Sequence, residues 1–156
     1  MLPWVTGLAQ RGIEAAAIDL PVRRAEDAVA AYRLAALPGP DVAIGGQSYG
    51  GRVASLLAAQ DGVAVAALIL LCYPLHRPGQ PEWAPRTVHW PALRCPVLLL
   101  SGESDPFARI DLLRTAVAER LPGARLVTYP RLGHGLGPVL ADALGQVALF
   151  VSQLPT

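Results

Sequence analysis

Val42-Ala43-Ile44-Gly45-Gly46-Gln47-Ser48-Tyr49-Gly50-Gly51-Arg52 is the stretch on which the fold turns. A short apolar run meets paired glycines, then a serine, then two more glycines. After them residues 52–60 carry Val53, Leu56 and Leu57 at helical spacing. The reading is strand, tight turn, helix. Gly46-Gln47-Ser48-Tyr49-Gly50 fits Gly-x-Ser-x-Gly, in which the serine takes a strained conformation and small residues on either side let strand and helix approach. Gly46 and Gly50 are expected to provide that clearance. The Ser48 hydroxyl then stands above the sheet, with the Tyr49 backbone N–H and the helix dipole facing any oxyanion formed there. Gln47 is taken with them as a substrate-binding candidate. The competing reading is a glycine-rich turn that cradles a phosphate, but Gly-x-Gly-x-x-Gly is absent and no acidic residue follows the next strand.

Outward from this turn, residues 65–72 and 96–100 are apolar without polar alternation, as parallel strands buried on both faces require. Residues 13–19 and 125–129 read as two further strands. Residues 3–11, 24–37, 110–121 and 139–154 read as helices, two of them stopped by Pro38-Gly39-Pro40 and Pro122-Gly123. Alternation of this kind predicts an α/β fold: a three-layer sandwich with a mostly parallel sheet, residues 1–156 forming one domain, and functional loops at the carboxyl ends of the strands.

A serine hydroxyl is a poor nucleophile at neutral pH and needs a base, itself oriented by a carboxylate. Of the three histidines, His76 and His89 lie in the irregular segment 74–94. His134 lies in Arg131-Leu132-Gly133-His134-Gly135-Leu136-Gly137, between the last strand and the last helix. His134 is the candidate base. Ser101-Gly102-Glu103-Ser104-Asp105-Pro106-Phe107 follows another strand, and Asp105 is the candidate acid, with Glu103 as the substitute. The plainer alternatives are a helix cap for Asp105 and a turn residue for His134.

The 156 residues are 53% hydrophobic and 16% charged, too apolar for a disordered chain. A formal net charge of +1 without blocks of like charge argues against nucleic acid and membrane surfaces as partners. The longest strongly apolar stretch, residues 63–73, is well short of the roughly 20 residues that span a bilayer. The amino-terminal residues lack the basic region and apolar core of an export signal, so a cytoplasmic location is expected. Cys72 and Cys95 read as reduced, buried thiols. No Cys/His/Asp cluster has the spacing of a metal site, and neither a metal nor a cofactor is expected.

With Ser48, Asp105 and His134 in the order serine, acid, histidine, the chain resembles the α/β-hydrolase superfamily, in particular its dienelactone-hydrolase-related branch. Residues 45–52, Cys72-Tyr73-Pro74-Leu75-His76-Arg77-Pro78-Gly79-Gln80-Pro81-Glu82, and residues 102–107 look like one family within it. That family includes bacterial hydrolase-like proteins, a testis-expressed homologue and a regulatory subunit of the non-specific-lethal histone acetyltransferase complex. The resemblance implies a serine esterase or thioesterase acting on a small-molecule substrate. Because one relative is a complex component, a non-catalytic interaction module is the alternative. Members ordinarily begin with an additional strand ending in a His-Gly-Ala-Gly-like turn that supplies a second oxyanion donor. No such stretch precedes residue 3 here, so the natural start is expected upstream.

Segment 74–94 carries His76, Arg77, Trp83, Arg86, His89 and Trp90. Trp83 and Trp90 are candidates for substrate contact, and Arg77 or Arg86 for an anionic group on the substrate. Surface packing of a proline-rich loop is the alternative for all of them.

Overall fold

Continuous apolar sequence allows a strand to be covered on both faces, and such runs form the middle of the sheet. The computed structural model describes residues 1–155. In it β1 (Ala43–Gln47), β2 (Ala67–Leu71), β3 (Val97–Gly102) and β4 (Arg125–Tyr129) form a parallel sheet of order β1-β2-β3-β4. Ile44 stands opposite Leu68, Leu70 opposite Leu99, and Leu100 opposite Val127.

Successive strand side chains point to opposite faces, which divides the core in two. Leu68, Leu70, Val97 and Leu99 face one side, where they meet α2 (Ala25–Ala36), α3 (Tyr49–Ala58) and α5 (Ile110–Arg120). Ala67, Leu71, Leu98 and Leu100 face the other, where they meet α1 (Leu2–Ala9) and α6 (Leu140–Ser152). A one-turn helix, α4 (Ala84–Thr87), and a 3-10 turn, Trp90–Ala92, lie in the segment between β2 and β3. The three-layer parallel α/β arrangement expected from the sequence is the one observed.

The strand expected over residues 13–19 does not form: these residues have no strand partner. Strand structure is completed by a neighbour's backbone, which local hydrophobicity cannot supply. Ile18 and Leu20 pack against the core without entering the sheet. The outward edge of β1 is met at Gly45 by a side chain instead. The Tyr32 hydroxyl donates to the Gly45 carbonyl at 2.6 Å and accepts from its N–H at 3.0 Å. Among the described residues no helix is long and apolar enough to cross a membrane.

Candidate active site

Ser48 sits between the end of β1 and the first residue of α3, with φ 50° and ψ −115°. A non-glycine residue in this region carries strain of order 1–3 kcal/mol, which the surroundings must overcome. They do so from both sides. The Ser48 N–H donates to Leu71 O at 2.7 Å, and the Arg52 N–H returns to Ser48 O at 3.1 Å. A Cβ on Gly46 would collide with the backbone of Gly50 and Gly51, so the crossing of strand and helix needs glycine there. On the helix side the structure corrects the sequence reading. A Cβ on Gly50 would meet nothing, whereas one on Gly51 would run into the Gly46 carbonyl. Gly51, not Gly50, is the close approach, because α3 begins at once at Tyr49.

Asp105 and His134 lie on the loops after β3 and β4. Gly102 lets these loops touch, since a Cβ there would overlap the Leu132 and Gly133 carbonyls. The Ser104 N–H donates to Leu132 O at 2.8 Å and the Glu103 N–H to Tyr129 O at 2.9 Å, locking one loop on the other. The Asp105 side chain is fully buried, and its Oδ1 accepts the Phe107 N–H at 2.8 Å. Its Oδ2 lies 2.8 Å from His134 Nδ1, and His134 Nε2 lies 2.8 Å from Ser48 Oγ. A carboxylate only accepts, so Nδ1 carries the proton, Nε2 presents its lone pair, and the Ser48 hydroxyl donates to it. The Phe107 ring flanks the imidazole, with centroids 4.6 Å apart.

The structure thus brings Ser48, His134 and Asp105 together and turns the substitute acid away. Glu103 accepts from Thr128 Oγ1 at 2.8 Å and pairs with Arg114 at 3.3 Å, on the far side of its loop. Tyr49 opens α3, so its N–H has no acceptor within the helix and faces the same space as the serine. The Tyr49 hydroxyl donates to Pro21 O at 3.1 Å, tying the segment before α2 to the turn. Gln47 closes β1 opposite Leu71 and does not line the cleft over Ser48.

Both tryptophans depart from expectation. Trp90 is fully buried and stacks edge-on against Tyr73, with centroids 5.1 Å apart, so it is core and cannot reach a substrate. Trp83 packs at the margin of the core under the Arg120 guanidinium, 5.1 Å from the ring centre, away from the cleft. Loop 74–94 follows a packing pattern that no linear spacing encodes.

The histidines of that segment hold it in place. His76 is buried; its Nδ1 lies 2.8 Å from Arg77 O and its Nε2 accepts the Arg109 N–H at 3.1 Å. These partners specify the neutral ring with its proton on Nδ1, which fastens the segment to the loop behind Asp105. His89 Nε2 lies 2.8 Å from Ser55 Oγ, whose own proton goes to Arg52 O. Burial, reinforced by Arg52, pulls the His89 pKa down to about 4. Behind the triad, burial and then the Asp105 charge push the Cys72 thiol up to about 11, which makes it unreactive near neutral pH.

Above Ser48 is an open cleft of about 430 Å³. Its lining includes Tyr49, Pro74 and Phe107 together with Arg23, Arg24, Arg52, Arg77 and Arg86, and Glu26 is the one acidic residue among them. The arginines went unnoticed as a group in the sequence because they come from three separate segments. Phe107 went unnoticed as well, although it immediately follows Asp105-Pro106. A second hollow of about 660 Å³, between α1 and α6, contains none of the triad residues. Among the described residues no three His, Cys, Asp or Glu side chains gather as metal ligands.

A serine on a strained strand-to-helix turn of a parallel sheet, with acid and histidine on loops after later strands, defines the α/β-hydrolase type of protein. The family model for the alpha/beta hydrolase domain matches residues 19–139, and the chain belongs to that family. Among curated proteins nothing matches significantly. Among solved structures, it is similar to a protein from Xanthomonas campestris pv. campestris described as a hydrolase of the alpha/beta superfamily. That match has a TM-score of 0.70 at 22% identity and covers 97% of this chain and 91% of the other. It is also similar to a protein from Thermoplasma acidophilum described as a CIB-like hydrolase, with a TM-score of 0.64 at 21% identity, covering 84% of this chain and 59% of that one. A puromycin-hydrolyzing peptidase of Mycobacterium tuberculosis aligns with a TM-score of 0.61 at 21% identity, over 84% of this chain and 25% of the peptidase. The chain thus spans less than two thirds of the length of the last two proteins. At these identities the likeness is one of fold, and with the family match it supports a hydrolase.

Proposed function

We propose that this chain is a serine hydrolase that cleaves a carboxylic ester or thioester through an acyl-enzyme on Ser48. The observation that carries the proposal is the unbroken chain from Ser48 Oγ through the His134 ring to Asp105, with both links at 2.8 Å. Ser48 Oγ attacks the carbonyl carbon as its proton passes to His134 Nε2, and the tetrahedral oxyanion takes the Tyr49 N–H. The buried Asp105 carboxylate stabilises the imidazolium, which returns the proton to the departing oxygen or sulfur. Water, deprotonated by the same Nε2, attacks the acyl carbon and frees Ser48. The strings at residues 45–52, 72–82 and 102–107 support placing the protein in the dienelactone-hydrolase-related branch. Within that branch they support kinship with the testis-expressed and non-specific-lethal-complex homologues.

A fluorophosphonate probe, which phosphonylates activated serines, tests the proposal. Labelling mapped to the Ser48 peptide and lost in Ser48→Ala is the expected outcome. A folded protein that reacts at no serine would refute it.

A further inference from the structure

The cleft over Ser48 is far more basic than the rest of the molecule. Five arginines against one glutamate give its walls a formal +4 in a chain whose total is +1, so everything outside the cleft is net −3. Concentrating one sign of charge in a concave site focuses its field on whatever binds there. Among the described residues, Arg52 alone of the five is salt-bridged to a carboxylate, that of Glu26, and its buried Nε has no acceptor there. Arg86 is aimed by its backbone contacts: its guanidinium donates to Pro74 O at 2.8 Å, and burial disfavours its charge. Among the described residues Arg24 and Arg77 form no salt bridge, and Tyr49 anchors the segment that carries Arg24. Folding has gathered these cations around one cleft with a single carboxylate among them, an arrangement that an anionic ligand would complement.

From this we infer that the substrate carries a carboxylate or phosphate group, held by the arginine cluster while its ester or thioester carbonyl lies at Ser48. The inference rests on the serine-hydrolase proposal for its reaction and on the cluster for its ligand. The guanidinium fork matches both anions in geometry. Arg77 and Arg24 are the specificity-determining residues most open to test, because neither side chain holds the fold together.

The test compares kcat/KM for mono-4-nitrophenyl glutarate with that for 4-nitrophenyl pentanoate, an ester of equal length that ends in a methyl group. The anionic ester is expected to be favoured by at least about tenfold, one charge-assisted contact's worth. Arg77→Gln and Arg24→Gln each lower that ratio, and about 0.5 M salt shrinks it by screening. Arg94→Gln, outside the cleft, leaves it unchanged. Calorimetric titration of glutarate into Ser48→Ala reads the anion site without turnover, and saturable binding weakened by Arg77→Gln is expected. Competition between glutarate and inorganic phosphate shows which anion the arginines favour. Equal hydrolysis of both esters with no glutarate binding overturns this inference and leaves the serine hydrolase intact. If Ser48 resists the fluorophosphonate and neither ester is cleaved, the reaction is wrong, and the glutarate titration alone decides the anion site: binding sustains it and silence removes it.

Discussion

Replacing Asp105 by Asn changes one atom and tests the direction of every proton in the site. The Phe107 N–H donates to Oδ1 at 2.8 Å, so the oxygen of the new amide is held there and its NH₂ group takes the place of Oδ2, 2.8 Å from His134 Nδ1. An NH₂ group donates, which forces Nδ1 to accept and moves the ring proton to Nε2. The imidazole then turns an N–H toward Ser48 Oγ and cannot receive its proton. Losing the correct tautomer with the geometry intact costs about 10⁴ in kcat, or about 5.5 kcal/mol of transition-state stabilisation. The assay is steady-state hydrolysis of a 4-nitrophenyl ester, with urea unfolding alongside to establish that the variant is folded. Activity within tenfold of the unsubstituted protein's would refute the reasoning, because it would mean that Asp105 does not set the tautomer.

Two further perturbations test the scaffold. Gly46→Ala places a methyl group against backbone that cannot move aside and should cost about 3 kcal/mol or more, whereas Gly50→Ala meets open space and should stay within about 0.5 kcal/mol; urea midpoints separate them, and equal losses would contradict the geometry of the turn. His89 binds protons less readily folded than unfolded, so its contribution to stability is fully present above pH 6.5 and is lost as pH falls toward 4. The full drop corresponds to roughly 3 kcal/mol, reduced to about 2 kcal/mol by partial exposure. His89→Gln should therefore flatten that part of the stability profile, and an unchanged slope between pH 6.5 and 4 would count against the half-buried, neutral ring.

What could be read from the sequence was what depends on neighbouring residues. The serine turn is legible because strand, glycines and helix are contiguous. Asp105 and His134 are legible because each falls on the loop after a stretch that reads as a strand, where a parallel sheet delivers its loops. Features that need partners distant in the chain were misread or missed. Residues 13–19 have a strand-like composition but no neighbouring backbone to pair with. Trp90 is an aromatic in an irregular loop, and only the packing of Tyr73 and the core shows that it is buried. The helix after Ser48 starts three residues earlier than its apolar spacing suggests, because glycines conceal its first turn. That shift moved the close approach from Gly50 to Gly51. The arginine cluster is the clearest case, since a chain of almost balanced charge folds so that five of its arginines line the cleft over the serine.

The account depends on Ser48 and His134 acting as a unit, which a double-variant cycle on ester hydrolysis measures directly. Residues that share one proton transfer lose their effect together. Ser48→Ala and His134→Ala should each remove at least about 10⁴ in kcat/KM, and the double variant should be no slower than either. Losses that multiply in the double variant would show that the two side chains contribute independently, and would contradict the shared mechanism.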